Sequence, residues 1–237
     1  MLLSAISSGM SIQQILYAII VRIPAVLLAL SVHEAAHGWM AYKLGDPTAK
    51  MMGRVTLNPV KHLDPIGTLS MLLVGFGWAK PVPFNPHNFK KFRSGSALVA
   101  LAGPVSNFLM AIVGYIVYLS MMIILQQNPA IMQSNFSIAY QALFNMAEMF
   151  FALNISLGVF NLIPIPPLDG SKVLFSFLPA KAYNFILNFE RYGLFILFIV
   201  LVTGVLDVPI GYLMNGAAKV ITTPIIWLFG FFSGLFG

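Results

Sequence analysis

The chain has 237 residues, of which 59% are hydrophobic and only 8% are charged. Soluble domains are nearer half apolar and a quarter charged, so this composition excludes an ordinary soluble fold and indicates a membrane protein. The formal net charge of +6 comes from basic residues that cluster in particular loops, which is the bias of cytoplasmic loops and predicts no nucleic-acid partner.

Five stretches are apolar enough, at about 20 residues or more, to cross a bilayer as helices. Two further apolar runs are too short to cross and are typical of re-entrant or interfacial pieces. The sequence therefore predicts an all-α polytopic membrane protein with five to six transmembrane helices. The five long stretches are 13–43, 96–125, 140–163, 185–206 and 211–235, and the two short runs are 66–77 and 172–179.

The first long stretch contains "SVHEAAHGW" at residues 31–39. His33 and His37 are four residues apart, which places both imidazoles on one face of a helix. That spacing lets two ring nitrogens ligate one zinc ion, and Glu34 beside them can take a proton from the zinc-bound water. Lone histidines are usually packing or surface residues, but ionisable groups in a membrane helix are costly and normally functional. With no cysteine in the chain, His, Asp or Glu must supply the remaining ligand.

The loop after the first stretch predicts the orientation of the chain. Residues 43–95 carry eight basic and two acidic residues, whereas 126–139 carry no charge. Basic loops stay in the cytoplasm. We therefore expect 44–95 and 164–184 to be cytoplasmic, 126–139 and the N-terminus to be external, and the C-terminus to be cytoplasmic.

The same loop contains two β-type runs, "GRVTLNP" and "GWAKPVPFNP", that are punctuated by Gly, Pro and Asn. Pro81 and Pro83 lack an N–H and suit the edge of a sheet. The sequence predicts a small β-rich, membrane-associated loop between the first two helices. Val82 lies between the two prolines, and we expect its N–H and C=O to be free for pairing with an added strand of substrate.

The third metal ligand has several candidates. The segment "FNLIPIPPLDGSKVL" at 160–174 has three prolines in four positions, which forbids a regular helix. Such breaks occur at membrane depth where they line a polar cavity. Asp169 follows the break, either as the third ligand or as the N-cap of a helix over 170–179. The full set of candidates is Asp46, His62, Asp64, His87, Glu148, Asp169, Glu190 and Asp207.

Taken together, "HEAAH" and "NLIPIPPLDG" resemble the site-2 protease family of intramembrane zinc metalloproteases. The family signatures are H-E-x-x-H on one membrane helix and N-x-x-P-x-x-x-L-D-G on a later one, and both are complete here. The segments "GWAKPVPFNP" and "LAGPVSN" are also similar to the compact bacterial members, which lack PDZ and CBS domains. The resemblance implies that His33, His37 and Asp169 hold Zn²⁺ and that Glu34 is the catalytic base.

The resemblance also implies a function and a location. The chain would hydrolyse peptide bonds in or near transmembrane segments of membrane proteins, as in regulated intramembrane proteolysis. It would be a single domain over 1–237, with a catalytic core at about 13–195 and C-terminal membrane helices at about 185–237. We expect it in the lipid of a bacterial cytoplasmic membrane, with the active site open to the cytoplasm. The sequence indicates no oligomeric state and no particular physiological substrate.

Asn161, which opens the second motif, has two interpretations. By family resemblance it contacts the substrate backbone or the developing oxyanion. Alternatively it makes an interhelical hydrogen bond, a common use of Asn in membranes and the favoured interpretation of Asn154.

A different class of function stays open on the residues alone. Membrane metal-binding or transport proteins also place His and Asp at mid-membrane. Many transporters carry internal repeats, and none is visible here. A metalloprotease could also cut a membrane-proximal segment of a soluble protein instead of a transmembrane helix.

Overall fold

The structure is a computed structural model that describes residues 9–74, 77–179 and 192–236. Within these ranges the chain is helical and contains no strand. The helices are α1 (Ile12–Lys43), α2 (Thr48–Met51), α3 (Pro65–Val74), α4 (Phe92–Gln127), α5 (Ser137–Asn161), α6 (Asp169–Ser176), α7 (Gly193–Thr203) and α8 (Asp207–Phe236). Short 3₁₀ turns occupy Pro59–Lys61, Pro86–Asn88 and Pro129–Gln133.

Helix α1 has well-defined ends. Its N-cap is Ser11, whose hydroxyl accepts the N–H of Gln14 while the Gln14 side chain accepts the N–H of Ser11. This capping box satisfies two backbone donors that a helix start leaves open. The helix ends at Lys43, and Gly45 follows at φ +104°, a conformation that glycine adopts without strain. The 32 residues between the caps extend about 48 Å, enough to cross a membrane.

Three helices of the described chain, α1, α4 and α5, are long and apolar enough to cross a membrane. Helices α7 and α8 give a fourth span only if they count as one, and they are bent by 91°. Helix α7 has 11 residues and is about 16 Å long, too short to cross alone. It ends at Gly204, which has φ +65°. The all-helical membrane class is thus supported, but the predicted five to six spans are not confirmed, and the span expected at 185–206 begins outside the described residues.

The β-rich loop expected between the first two spans is not confirmed. In the described part of 44–95, pairing is limited to one antiparallel bridge between Leu63 and Ala79, beside which the N–H of Lys80 donates to the carbonyl of His62. The physical reason is the density of prolines, which cannot donate to a ladder. The prolines of this loop are Pro47, Pro59, Pro65, Pro81, Pro83 and Pro86.

Side chains hold this loop in place of a sheet. The carboxylate of Asp46 is fully buried and accepts hydrogen bonds from Thr48, from the N–H of Asn85 and from the side-chain amide of Asn88. Burial alone would raise the pKa of Asp46, but these hydrogen bonds outweigh it and hold that pKa below its ordinary value. The segment around Asn85 is therefore fixed against the C-terminal end of α1.

Helix α4 lies at the centre of the bundle, where it packs on α1, α5 and α6. Small residues permit this close packing, as is usual between membrane helices. Ala111 of α4 is fully buried in a cluster with Ile155 and Ile221, while Gly114 lies against Phe150. Because α4 contacts all three neighbours, side chains from α1 and α6 can meet beside it.

Replacing Asp46 with Ala should lower the thermal unfolding midpoint of the protein in detergent. Four hydrogen-bond donors lose a charged acceptor, and one such bond contributes about 1.5–3 kcal/mol. Because the folded-state pKa is lowered, this stabilisation is present above the unfolded-state pKa of about 3.9 and is lost as the pH falls from there. The gap between wild type and variant should therefore narrow below about pH 4.

The matched control is Asp64→Ala, since Asp64 accepts a single backbone hydrogen bond, from Gly67. It should shift the midpoint less than Asp46→Ala does. Equal midpoints for wild type and Asp46→Ala would show that Asp46 does not anchor the loop.

Candidate metal centre

Three buried side chains converge in the interior of the bundle. The Nε2 atoms of His33 and His37 are 3.0 Å apart, and each lies 3.2 Å from Oδ2 of Asp169. One ligand atom from each residue falls within 4.8 Å of the others, which is the spacing of atoms that share a metal ion. Among the described residues, no other group of His, Asp and Glu side chains has this spacing.

The local sequence explains how the trio forms. Helix α1 carries the two histidines on one face because they are one turn apart. Asp169 is the first residue of α6, directly after the proline-rich break at 164–167. The N-cap of α6 is Leu168, so the alternative interpretation of Asp169 as a helix N-cap is wrong. Its carboxylate is directed at the histidines instead.

The hydrogen bonds of the two rings prepare them for a metal. Nδ1 of His33 lies 2.6 Å from Oδ1 of Asn107, and Nδ1 of His37 lies 2.7 Å from the carbonyl oxygen of Val99. Both partners are acceptors, so each Nδ1 carries the proton and each Nε2 keeps a free lone pair. This is the tautomer that a metal-binding histidine needs. The donor set therefore fits a zinc ion.

A chain of amides fixes the orientation of Asn107. Its Nδ2 donates to Oδ1 of Asn154 at 2.9 Å, and Nδ2 of Asn154 donates to the carbonyl of Phe150 at 2.8 Å. A backbone carbonyl can only accept, so it determines which way each amide points in turn. Both Asn side chains are fully buried. The interhelical hydrogen bond expected of Asn154 is confirmed, and it connects α5 to the ring of His33.

The metal centre depends on the missing side chain of Gly103. A Cβ at this position would lie 2.5 Å from Nε2 of His37 and 2.6 Å from Cε1 of His33. Glycine therefore lets α4 approach α1 closely enough for Asn107 and Val99 to reach the rings. Gly170 plays a similar part next to Asp169, since a Cβ there would lie 2.1 Å from the carbonyl oxygen of Leu162.

Glu34 lies beside the trio in a different hydrogen-bond environment. Its side chain is buried, and Oε2 accepts the N–H of Val82 at 2.9 Å. The guanidinium of Arg54 donates to the carbonyls of Lys80 and Pro81, at 2.7 and 3.2 Å, and holds the same segment. The expectation that the N–H of Val82 is free is therefore wrong, because the carboxylate of Glu34 binds it.

A cavity of about 1350 Å³ contains the site. The trio, Glu34, Asn161, Pro81 and Val82 all line it. Asn161 uses its Nδ2 to donate to the carbonyl of Leu157 in its own helix, at 3.0 Å. Pro83 is half-buried and lies outside this lining.

The other candidate ligands lie elsewhere in the described chain. Asp46 anchors the loop, Asp64 binds the N–H of Gly67, and His62 is buried with Nε2 at 2.8 Å from the carbonyl of Thr56. The ring of His87 packs on Phe92, Asp207 begins α8, and Glu148 lines the cavity outside the metal-ligand group. Glu190 lies outside the described residues.

Sequence reasoning missed Asn107. The segment "LAGPVSN" supported the family resemblance but assigned no role to this residue. The available signal was a lone amide in an apolar helix, one turn after a glycine, since buried amides need partners.

Comparisons with known proteins agree with this geometry. The sequence model of peptidase family M50 matches residues 21–204 of this chain. The chain is 42% identical to "Putative zinc metalloprotease YwhC" of Bacillus subtilis over 176 residues, which cover 74% of this chain and 77% of that one. It is 26% identical to "Putative zinc metalloprotease Rip2" of Mycolicibacterium smegmatis over 186 residues, 76% of this chain and 66% of that one. No solved structure matches significantly.

Replacing Asn107 with Leu should weaken zinc binding by about 10–100-fold, the usual effect of removing a hydrogen-bond partner of a metal-binding histidine. The ring of His33 would lose the acceptor that holds its tautomer. Competition with a chelator of known affinity measures the effect. Asn128→Leu, at an exposed amide that caps the same helix, is the control and should bind zinc normally. Equal zinc affinity in both variants would mean that Asn107 does not position His33.

Proposed function

Because the chain belongs to peptidase family M50, the site-2 protease family, we propose that it hydrolyses peptide bonds in or near transmembrane segments of membrane proteins. Membership makes it a zinc metalloprotease with Zn²⁺ as cofactor. The observation that carries the proposal is the buried trio of His33, His37 and Asp169 on apolar helices, inside a cavity large enough for a peptide segment. Water and peptide would meet there, away from lipid.

The proposed zinc ligands are Nε2 of His33, Nε2 of His37 and a carboxylate oxygen of Asp169. Zinc supplies Lewis acidity, which polarises the scissile carbonyl and makes the attacking water more acidic. Three protein ligands leave an open position, as catalytic zinc sites require. The proton on each Nδ1, held by Asn107 and Val99, keeps both rings in the binding orientation.

Glu34 is the proposed general base. It follows His33 directly, and its carboxylate is buried beside the trio in the same cavity. It removes the proton of the attacking water and later delivers it to the leaving amine. Its hydrogen bond from Val82 fixes one carboxylate oxygen.

Pro81, Val82, Pro83 and Asn161 are proposed to hold the substrate in an extended form. A helical substrate must unwind before attack, because its peptide groups are shielded by hydrogen bonds and lipid. Pro81 and Val82 line the cavity, as does Asn161 at the end of α5. Strand addition at Val82 would require its N–H to leave Glu34, so the pairing is coupled to the base. Asn161 would contact the substrate backbone with its amide oxygen.

The proposed location is a bacterial cytoplasmic membrane. The chain would form a single domain over 1–237, with a catalytic core at about 13–195 and C-terminal membrane helices at about 185–237. The loop 44–95 would lie on the cytoplasmic side, where the active site opens, and α1, α4 and α5 would be among five to six spans. The charge bias of the loops and the apolar helices support this orientation.

Glu34→Gln should abolish cleavage and retain about one zinc per chain, since the base is lost and the ligands are kept. Asp169→Ala should lose both zinc and activity, since one of three ligands is removed. Elemental analysis and cleavage of a model transmembrane substrate by the purified protein provide the two measurements. Cleavage by Glu34→Gln at the wild-type rate would exclude Glu34 as the base, and full zinc in Asp169→Ala would exclude Asp169 as a ligand. A metal transporter would keep most of its function in Glu34→Gln.

A cysteine at position 94 should react with a membrane-impermeant thiol reagent only after cells are opened. Ser94 is exposed in the first turn of α4, at the end of the 44–95 segment that the charge bias predicts to be cytoplasmic, and the chain has no native cysteine. Gln133→Cys, exposed in the uncharged connection, is the matched control and should react from outside. The reverse pattern would overturn the proposed orientation.

A further inference from the structure

One peptide group of the loop between α1 and α4 lies between two buried side chains of opposite charge. Nη2 of Arg54 donates to the carbonyl of Pro81 at 3.2 Å. On the other side, the N–H of Val82 donates to Oε2 of Glu34 at 2.9 Å. This carbonyl and this N–H belong to the same peptide bond, which is trans, so they point in opposite directions. Holding the carbonyl at Arg54 therefore directs the N–H at Glu34.

The two charges have no other counter-charge among the described residues. Neither Arg54 nor Glu34 forms an ion pair there, since the ion pairs are those of Asp169 with the two histidines. Both side chains are buried. Burying an unpaired charge is costly, and hydrogen bonds to a peptide group reduce that cost. The peptide thus connects the cation to the carboxylate, and the hydrogen bond at each end polarises the one at the other end.

The neighbouring residues limit rotation of this peptide. Pro81 has a fixed φ, and Pro83 restricts Val82 to an extended conformation. Nη2 of Arg54 also donates to the carbonyl of Lys80, at 2.7 Å, so one nitrogen holds two successive carbonyls. The direction of the Val82 N–H is therefore set by residues on both sides of it.

The side chain of Val82 sets the distance of the loop from α1. It is buried, and a Cβ on Gly38 would lie 3.1 Å from its Cγ1. Gly38 is one turn after Glu34 on α1, so the missing side chain lets the loop lie close to the carboxylate. Among the described residues, the lining of the cavity includes Glu34 and Val82 but not Arg54. Arg54 can therefore influence the reaction only through the loop.

We propose that Arg54 is a positioning residue for Glu34, the proposed base, and that it acts through the peptide between Pro81 and Val82. This inference rests on the proposed function. With Oε2 held by Val82, the carboxylate keeps one orientation. Oε1 makes no hydrogen bond within the described residues and is left for the attacking water. Without Arg54 the peptide can rotate, the carboxylate can change rotamer, and fewer molecules have the base correctly aimed.

Hydrogen exchange at Val82 tests this contact without a measurement of activity. Because Pro81 and Pro83 have no N–H, Val82 carries the single exchangeable backbone amide of residues 81–83. In the wild-type protein this amide should exchange slowly. Arg54→Met keeps a long side chain but removes its donors, and it should speed the exchange about tenfold or more, as expected when a charged partner no longer holds the peptide. An amide that exchanges freely in wild type, or equally fast in both proteins, would overturn the proposal.

Kinetics separate a positioning role from a role in substrate binding. Arg54→Met should lower kcat about 10–100-fold, the scale for a displaced catalytic group, and should leave KM and zinc content unchanged. Lys61→Met removes an exposed positive charge from the same loop and is the matched control, which should behave as wild type. A raised KM at the wild-type kcat would mean that Arg54 serves substrate binding, and the proposal would be wrong.

Arg54→Lys provides a milder change at the same position. It keeps a charged donor on a shorter side chain, so it should hold one of the two carbonyls. Both its kcat and its exchange rate at Val82 should lie between those of wild type and Arg54→Met. If Arg54→Met does not fold, Arg54→Lys makes the comparison with wild type, and equal exchange rates at Val82 would overturn the proposal.

Failure of this inference and failure of the proposed function give different results. If wild type cleaves a model transmembrane substrate, Glu34→Gln does not, and Arg54→Met keeps the wild-type kcat, the protease function stands and the positioning role is wrong. If wild type and Glu34→Gln cleave alike, the proposed function itself fails, and Arg54 has no base to position. Zinc content, measured on each variant, identifies any that have lost the metal centre.

Discussion

The contact between α4 and α1 at Gly103 is the constraint on which the metal centre depends. With no Cβ at this position, the rings of both histidines can lie against the backbone of α4. Val99, Gly103 and Asn107 are spaced by four residues and therefore share one face of that helix. Val99, one turn before Gly103, supplies its carbonyl to His37, and Asn107, one turn after Gly103, supplies its amide oxygen to His33. One close approach thus sets the position, tautomer and orientation of the two histidines that are proposed as ligands.

The loop between α1 and α4 depends on side chains where a sheet was expected. Asp46 and Arg54 bind backbone groups of 80–88, and Glu34 binds the N–H of Val82. Each of these three contacts joins a charged side chain to a backbone group, which is stronger than a neutral hydrogen bond. A β-sheet does not form here because proline lacks the N–H that a ladder of hydrogen bonds needs. Side chains of α1 and of the residues that follow it therefore hold the segment beside Glu34, the proposed base.

The parts that sequence predicts well are those carried by local spacing. His33 and His37 fall on one face because of helical periodicity. Helix α1 begins within one residue of its predicted start and ends at its predicted last residue, Lys43. Asp169 required more, because the residues alone allowed a helix cap as well as a ligand. The partners of Asn107 and Val82 could not be predicted, since His33 and Glu34 are 74 and 48 residues away and these contacts depend on how the helices pack. The apolar run at 172–179 was predicted as a separate piece, whereas α6 begins at Asp169 because the proline break ends just before it.

The amides around His33 also determine the electrostatic balance of the loaded centre. A zinc ion held by the proposed ligands would bring two positive charges, which two ionised carboxylates, Asp169 and Glu34, would balance. Soluble zinc sites often orient a histidine with a carboxylate, which here would leave one uncompensated charge in surroundings of low dielectric constant. Asn107 and Asn154 provide the same orientation from dipoles alone. An amide layer around His33 therefore orients the ring without adding a charge to the proposed centre.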